Sequence, residues 1–224
     1  MLFRSQPADE RRLGGLRSLD LSGNDVNDHG VRAIIDSRSL LGLQSLKLAG
    51  NHIGDAGVVA LTASPLLPRL LKHDARLDLR RNTIGPAGAV ALAGCPQMIA
   101  AVALDLTGNY LGDRGFAGLV ASRHFGRVRV LRVGHNQITN GGVLNARPAL
   151  TRLCRQLRVL DLSENRLTAP GIVAVNEARG ESDVVIDVTG NVHPIPPMPV
   201  GESLPAVLRE IDALKRRVSH PADP

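Results

Sequence analysis

The side chains best suited to acid–base or metal chemistry in this chain are 7 histidines, 2 cysteines, 21 carboxylates and 27 basic residues. No Gly-x-x-x-x-Gly-Lys-Ser/Thr loop is present to cradle a phosphate, and no His-Glu-x-x-His pair to hold zinc. No Gly-x-Ser-x-Gly elbow presents a nucleophile. His29, His52, His73, His124, His135, His193 and His220 are scattered without metal-ligand spacing. They read as surface or turn residues. Cys95 and Cys154 are too few for a disulfide framework or a cysteine-based zinc site, and read as small buried fillers. The expectation is a chain that is not an enzyme and takes no metal, cofactor or small-molecule substrate.

The charged residues are more pointed. From Arg114 to Leu160 there is no Asp or Glu, and the stretch carries nine arginines. Arg123, Arg127, Arg129, Arg152, Arg155 and Arg158 form a candidate basic arc within it. Guanidinium is a planar fork that meets phosphate or carboxylate through two bonds at once. The net charge of +6 points the same way, toward acidic partners such as RNA or acidic protein tails. Against this, the whole chain is arginine-rich, so the arc also reads as an ordinary solvated face. If nucleic acid is the partner, its phosphates are what the arc contacts. With only Phe3, Tyr110, Phe116 and Phe125 as aromatics, a base-stacking platform is not expected.

What positions these residues is a repeat. Asn24, Asn51, Asn82, Asn109, Asn136, Asn165 and Asn191 recur at intervals of 27, 31, 27, 27, 29 and 26 residues. Apolar residues stand three and five positions before each, as in Leu106 and Leu104 before Asn109. In six repeats an apolar residue follows at plus two and a glycine at plus six, as in Leu111 and Gly115. The alternating Leu-x-Leu predicts a short strand with one buried face. The asparagine ends it at a turn, where its amide can satisfy backbone groups. A helix is predicted next: Asp28, Asp55 and Asp113 are placed to cap it, and Pro86 and Pro170 suit its first turn. One such unit cannot bury its own apolar face, so the units must stack.

The run Leu16-Arg17-Ser18-Leu19-Asp20-Leu21-Ser22-Gly23-Asn24 and its successors resemble leucine-rich repeats of the ribonuclease-inhibitor type, over about residues 16 to 191. The resemblance implies an α/β solenoid, or horseshoe, of about seven repeats. Parallel strands would form its concave face and helices its convex face. Related proteins include ribonuclease inhibitor, Ran GTPase-activating protein and axonemal or innate-immune scaffolds. Their partners differ widely, so the resemblance carries no partner with it.

In such a frame the residue four before each asparagine faces the concave side. That column reads Asp20, Lys47, Asp78, Asp105, Arg132, Asp161 and Asp187. With strands about 4.8 Å apart, Lys47 is expected between Asp20 and Asp78, and Arg132 between Asp105 and Asp161. The column is either a charge-compensated ladder or a mildly acidic groove for a basic peptide. Ala103, Val130, Val159 and Val185, two positions earlier, form an apolar edge beside it. Arg129 and Arg158 share the position seven before the asparagine and are expected to stack on one rim.

Departures are also legible. The long second repeat carries Pro65 and Pro68, which predicts a loop on its convex side, and Pro148 is expected to break the fifth helix. The first apolar position holds Asp74 and Asp183 in two repeats. The organisation expected is an N-terminal segment over 1–15, the repeat domain over 16–191, a proline-rich linker over 192–202 and an amphipathic helix over 203–219. Leu204, Val207, Ile211, Leu214 and Val218 form one stripe of that helix, either capping the last repeat or meeting a partner.

No apolar run is long enough to span a bilayer, no secretory stretch opens the chain, and no Asn-x-Ser/Thr sequon occurs. An intracellular location follows as the expectation, in the cytoplasm or cytoskeleton. Met1 to Ser5 also suits the opening of a mitochondrial presequence. The leading functional expectation is a scaffold or adaptor subunit of a large eukaryotic intracellular assembly, cytoskeletal, axonemal or organellar. It would bind protein through the concave face and an uncapped N-terminal edge. The alternative is an RNA-contacting subunit of a ribonucleoprotein particle, such as the mitochondrial ribosome, working through the arginine arc. A GTPase regulator rests on fold resemblance alone.

Overall fold

The computed structural model describes residues 15–40 and 42–191. Seven three-residue strands are present among them: β1 Ser18–Asp20, β2 Ser45–Lys47, β3 Arg76–Asp78, β4 Ala103–Asp105, β5 Val130–Arg132, β6 Val159–Asp161 and β7 Val185–Asp187. Between them run the helices α1 Asp28–Asp36, α2 Asp55–Ala63, α3 Leu66–His73, α4 Pro86–Gly94, α5 Gly112–Ala121, α6 Asn140–Cys154 and α7 Ala169–Arg179. All strand pairs among the described residues are parallel and each paired strand is in register with its partner, as in Leu104 opposite Leu131 and Leu131 opposite Leu160. The sheet is split, with β1–β2 in one part and β3 to β7 in the other.

The predicted columns form the core. Leu104, Leu106, Leu111, Leu131, Val133 and Ile138 are wholly buried. One continuous cluster runs from Val31 to Val188. Burying one such side chain is worth roughly 1.5–3 kcal/mol. No rung gains that alone, because the covering atoms belong to its neighbours. Phe116 and Phe125 are buried among the aliphatic layers of the fourth rung.

The asparagines tie the rungs together. Asn82 is typical: its Nδ2 donates to Leu48 O at 3.0 Å in the previous rung and to its own Leu79 O at 3.1 Å. Its Oδ1 accepts the Ile53 N–H at 3.1 Å. The same pattern recurs from Asn51 to Asn191, and six of the seven are buried, Asn24 being exposed. Strand ends that would otherwise be buried without partners are satisfied in this way.

Two expectations from proline are overturned. The second repeat does not loop after Ala63; it forms α3. Pro65 is the N-cap residue at φ −66° and Pro68 falls in the first turn, where a missing N–H costs nothing. Leu66, Leu67, Leu70 and Leu71 are buried along the inner side of α3, and that burial holds the helix in place. Nor does Pro148 break the helix of the fifth repeat, since α6 runs through it for 15 residues. Leu144, whose carbonyl would have bonded to residue 148, is exposed, so water can take that carbonyl, while Val143, Ala146, Leu150 and Leu153 pack the opposite side. The N-terminal segment and the expected C-terminal linker and helix, with the stripe Leu204, Val207, Ile211, Leu214 and Val218, lie outside the described residues.

Candidate functional site: the concave face and the arginine rim

Strand pairing fixes the concave columns. Ala103, Val130, Val159 and Val185 stand in one row across β4 to β7, and Asp105, Arg132, Asp161 and Asp187 in the next. The first three apolar residues are half-buried, and Val185 is 60% exposed. The result is a narrow apolar strip beside a charged one.

The aspartates of the charged row have a structural task that their spacing did not disclose. Each turns one carboxylate oxygen back onto the backbone N–H two residues on. Asp20 accepts from Ser22 at 3.0 Å, Asp78 from Arg80 at 3.2 Å, Asp105 from Thr107 at 3.0 Å, Asp161 from Ser163 at 2.9 Å and Asp187 from Thr189 at 2.9 Å. This closes the corner where the strand ends. The Ser22 N–H and hydroxyl, with the Lys47 ammonium, hold the Asp20 carboxyl down to about 2.

Lateral pairing is less regular than expected. Lys47 meets Asp20 at 3.1 Å. It does not bridge to Asp78, because β2 and β3 are unpaired; Asp78 turns to Arg80 at 3.4 Å. Arg132 lies beside Asp161 in register but makes its ion pair with Asp105, at 3.9 Å. Asp161 and Asp187 have no cationic partner among the described residues. The acidic end of the face is therefore at β6 and β7.

A third column was missed in the sequence. The residue just before each asparagine is left-handed in all seven repeats: Gly23, Gly50, Arg81, Gly108, His135, Glu164 and Gly190, with φ from 52° to 70°. Glycine takes this conformation freely, whereas another residue loses about 1–2 kcal/mol. Arg81, His135 and Glu164 accept that cost and present exposed side chains at the lip of the face. The signal was there, as glycine at four of seven equivalent positions.

On the opposite lip, where the strands begin, Arg129 and Arg158 stand on adjacent rungs, the Arg158 backbone N–H donating to Arg129 O at 2.7 Å. Arg129 then spends its guanidinium on Gly126 O and Val128 O, both at 3.2 Å, and Arg152 donates to Ala121 O at 3.1 Å. Arg123, Arg127, Arg155 and Arg158 are exposed and have no side-chain partner among the described residues. The arc is thus four free guanidinium groups around two that stiffen the loops.

Residues 16–34, 43–61, 76–93, 128–145 and 153–175 each match the family described as Leucine Rich repeat. The fold is a leucine-rich-repeat solenoid. An internalin from Listeria monocytogenes has a similar solved structure, with a TM-score of 0.52 and 20% identity. The match covers 85% of this chain and 46% of that one, so the solenoid spans about half the internalin's length. At that identity the likeness is one of fold. No curated protein sequence matches the chain.

Among the described residues no three His, Cys, Asp or Glu side chains come together as a metal site. No described helix is long and apolar enough to cross a membrane. Cys95 and Cys154 are free thiols, both buried. The arrangement is suited to recognition of another surface.

Proposed function

We propose that this solenoid is a non-catalytic protein-binding scaffold that takes its partner on the concave face over β4 to β7. One observation carries the reading: the in-register row Ala103, Val130, Val159, Val185 runs beside Asp161 and Asp187, which have no cationic partner among the described residues. An extended segment with apolar side chains and a basic residue or two complements that surface. Helices on the convex side of every complete repeat favour the ribonuclease-inhibitor type of repeat. Two unpaired buried thiols suit a reducing interior. Among the described residues the outer side of β1 has no strand partner, which favours a place as a subunit in a larger intracellular assembly, cytoskeletal or organellar.

The experiment is recovery of partners on the tagged full chain, compared with the Val130→Arg/Val159→Arg variant. Partners held through the concave face survive nuclease and moderate salt and are lost in the variant, whose melting temperature stays close to the parent's. Partners retained equally by both proteins would place binding elsewhere.

A second reading, an RNA contact, is favoured by the four free arginines of the rim. It expects affinity that falls steeply with salt and is weakened when Arg127 and Arg158 are replaced by alanine.

A further inference from the structure

The interval from Asn51 to Asn82 is 31 residues, the longest in the array. The extra length folds as α3, and at this rung the sheet splits, β2 and β3 standing unpaired. A cleft of about 480 Å³ lies on the rim where the strands begin, lined by Arg17, Gln44, Pro65, Arg69, Lys72 and His73. Among the described residues no carboxylate lines it.

The cations reach the cleft from two rungs. Arg69 and Lys72 are three apart on α3, so they share its outer side while the leucines bury the inner one. Arg17 comes from the first rung, ahead of β1. It donates one guanidinium N–H to Gly42 O at 3.0 Å, which fixes the side chain and leaves further donors free. None of the four basic side chains has an ion-pair partner among the described residues. Favourable interaction with the carboxyl end of α3 accounts for Lys72 and His73, which lie in its last turn. It does not account for Arg69 or for Arg17. Like charges gathered without a counter-charge oppose folding by mutual repulsion. An anion seated among them removes that repulsion.

We propose that this cleft binds a compact phosphate-bearing polyanion. Arg17 and Arg69 supply planar donors that match phosphate oxygens in pairs, Lys72 adds a mobile point charge, and Gln44 adds an amide. Among the described residues no Phe, Tyr or Trp lines the cleft, which favours recognition of phosphate over a base. The site is separate from the concave strip and lies on the first two rungs, whereas the arginine arc lies between β4 and β6.

The test uses the full chain and titrates tripolyphosphate by calorimetry. Saturable binding is expected. The Arg69→Ala/Lys72→Ala variant, changed only at exposed positions, should bind about tenfold or more weakly, which is the loss of roughly 1.4 kcal/mol. The Arg127→Ala/Arg158→Ala variant should bind within about twofold of the parent, well inside that interval. No saturable binding, or equal losses in the two variants, would overturn the proposal. Co-sedimentation with phosphatidylcholine vesicles containing a phosphoinositide separates two sources of the same chemistry. Retention that depends on Arg69 and Lys72 identifies a lipid headgroup. Binding of tripolyphosphate without retention identifies a soluble anion.

Discussion

Asp113 reaches across a rung boundary to hold the start of the next helix through Thr139. Its Oδ1 accepts the Thr139 backbone N–H at 2.6 Å, and its Oδ2 accepts the Thr139 hydroxyl at 2.7 Å. Thr139 Oγ1 in turn accepts from Gly141 N in the first turn of α6. The arrangement repeats: Asp28 accepts from Gly54 N, Asp55 from Gly85 N and Gly88 N, and Asn140 from Thr168 N. Their spacing suggests caps for their own helices, but each caps the helix of the following rung. It also explains the glycine six positions after the asparagine at Gly57, Gly88, Gly142 and Gly171, where the capping side chain of the previous rung occupies the space of a Cβ. A Cβ on Gly142 would stand 2.6 Å from Asp113 Oδ1 and 3.0 Å from its Cα.

Asp113→Ala is therefore expected to destabilise by about 1–2 kcal/mol, as loss of a helix cap does. Gly142→Ala should cost about 1–3 kcal/mol through overpacking. The double variant should be less destabilised than the sum by about 1 kcal/mol, since the first change opens part of the space the second fills. Chemical denaturation of the four proteins reads the coupling. Additive losses would mean that Asp113 and Gly142 do not share the contact described.

Asn109 tests the ladder. Its Nδ2 donates to Leu79 O at 3.0 Å and Leu106 O at 2.9 Å, and its Oδ1 accepts from Ile84 N at 3.0 Å, all buried. Removing it strands three backbone groups, so Asn109→Ala should cost about 3 kcal/mol or more. Asn24 is exposed, and its described bonds go only to its own Leu21 and Ser22 carbonyls. Asn24→Ala should cost under about 1 kcal/mol, because water can replace it. Similar losses at the two sites would show that burial across rungs is not what gives the asparagine its value.

These contacts mark the boundary of what the sequence discloses. Columns such as Leu104, Leu106 and Asn109 were legible because each residue type has a single use, to be buried or to satisfy buried backbone. Asp113 was half legible, since a carboxylate at a helix start reads as a cap but its reach to the next rung depends on stacking distance. Pro65, Pro68 and Pro148 misled because local propensity was outweighed by leucines and alanines packing from neighbouring rungs. The cleft at Arg69 and Lys72 was illegible. Those residues are 52 and 55 positions from Arg17, and the folding of the extra length as α3 beside the first two rungs brings them to one place.

The concave column carries a pH signature. With its carboxyl held at about 2 rather than 3.8, Asp20 favours the folded state above pH 3.8 and loses that contribution as pH falls toward 2. The first cause is the Ser22 backbone N–H, the second the Ser22 side chain and the third Lys47. In an NMR titration, Lys47→Ala should raise the Asp20 midpoint only part of the way. A full return to 3.8 would assign the shift to the ion pair and not to the turn.

Cys154 titrates in the opposite sense. Burial pushes its thiol up from 9.0 to about 11, with the Arg179 charge pulling weakly the other way. The folded state therefore prefers the neutral thiol. That contribution is whole below pH 9 and is lost as pH rises through 11. Iodoacetamide, which needs the thiolate, should leave Cys154 unmodified in the folded protein near neutral pH and label it once urea unfolds the chain. In alkaline melts, Cys154→Ala should start lower, through the lost packing, and then fall less steeply than the parent between pH 9 and 11. Rapid labelling of the folded protein near neutral pH would mean that the layer between α6 and α7 opens to solvent. Cys154 would then be a reactive thiol and not a filler.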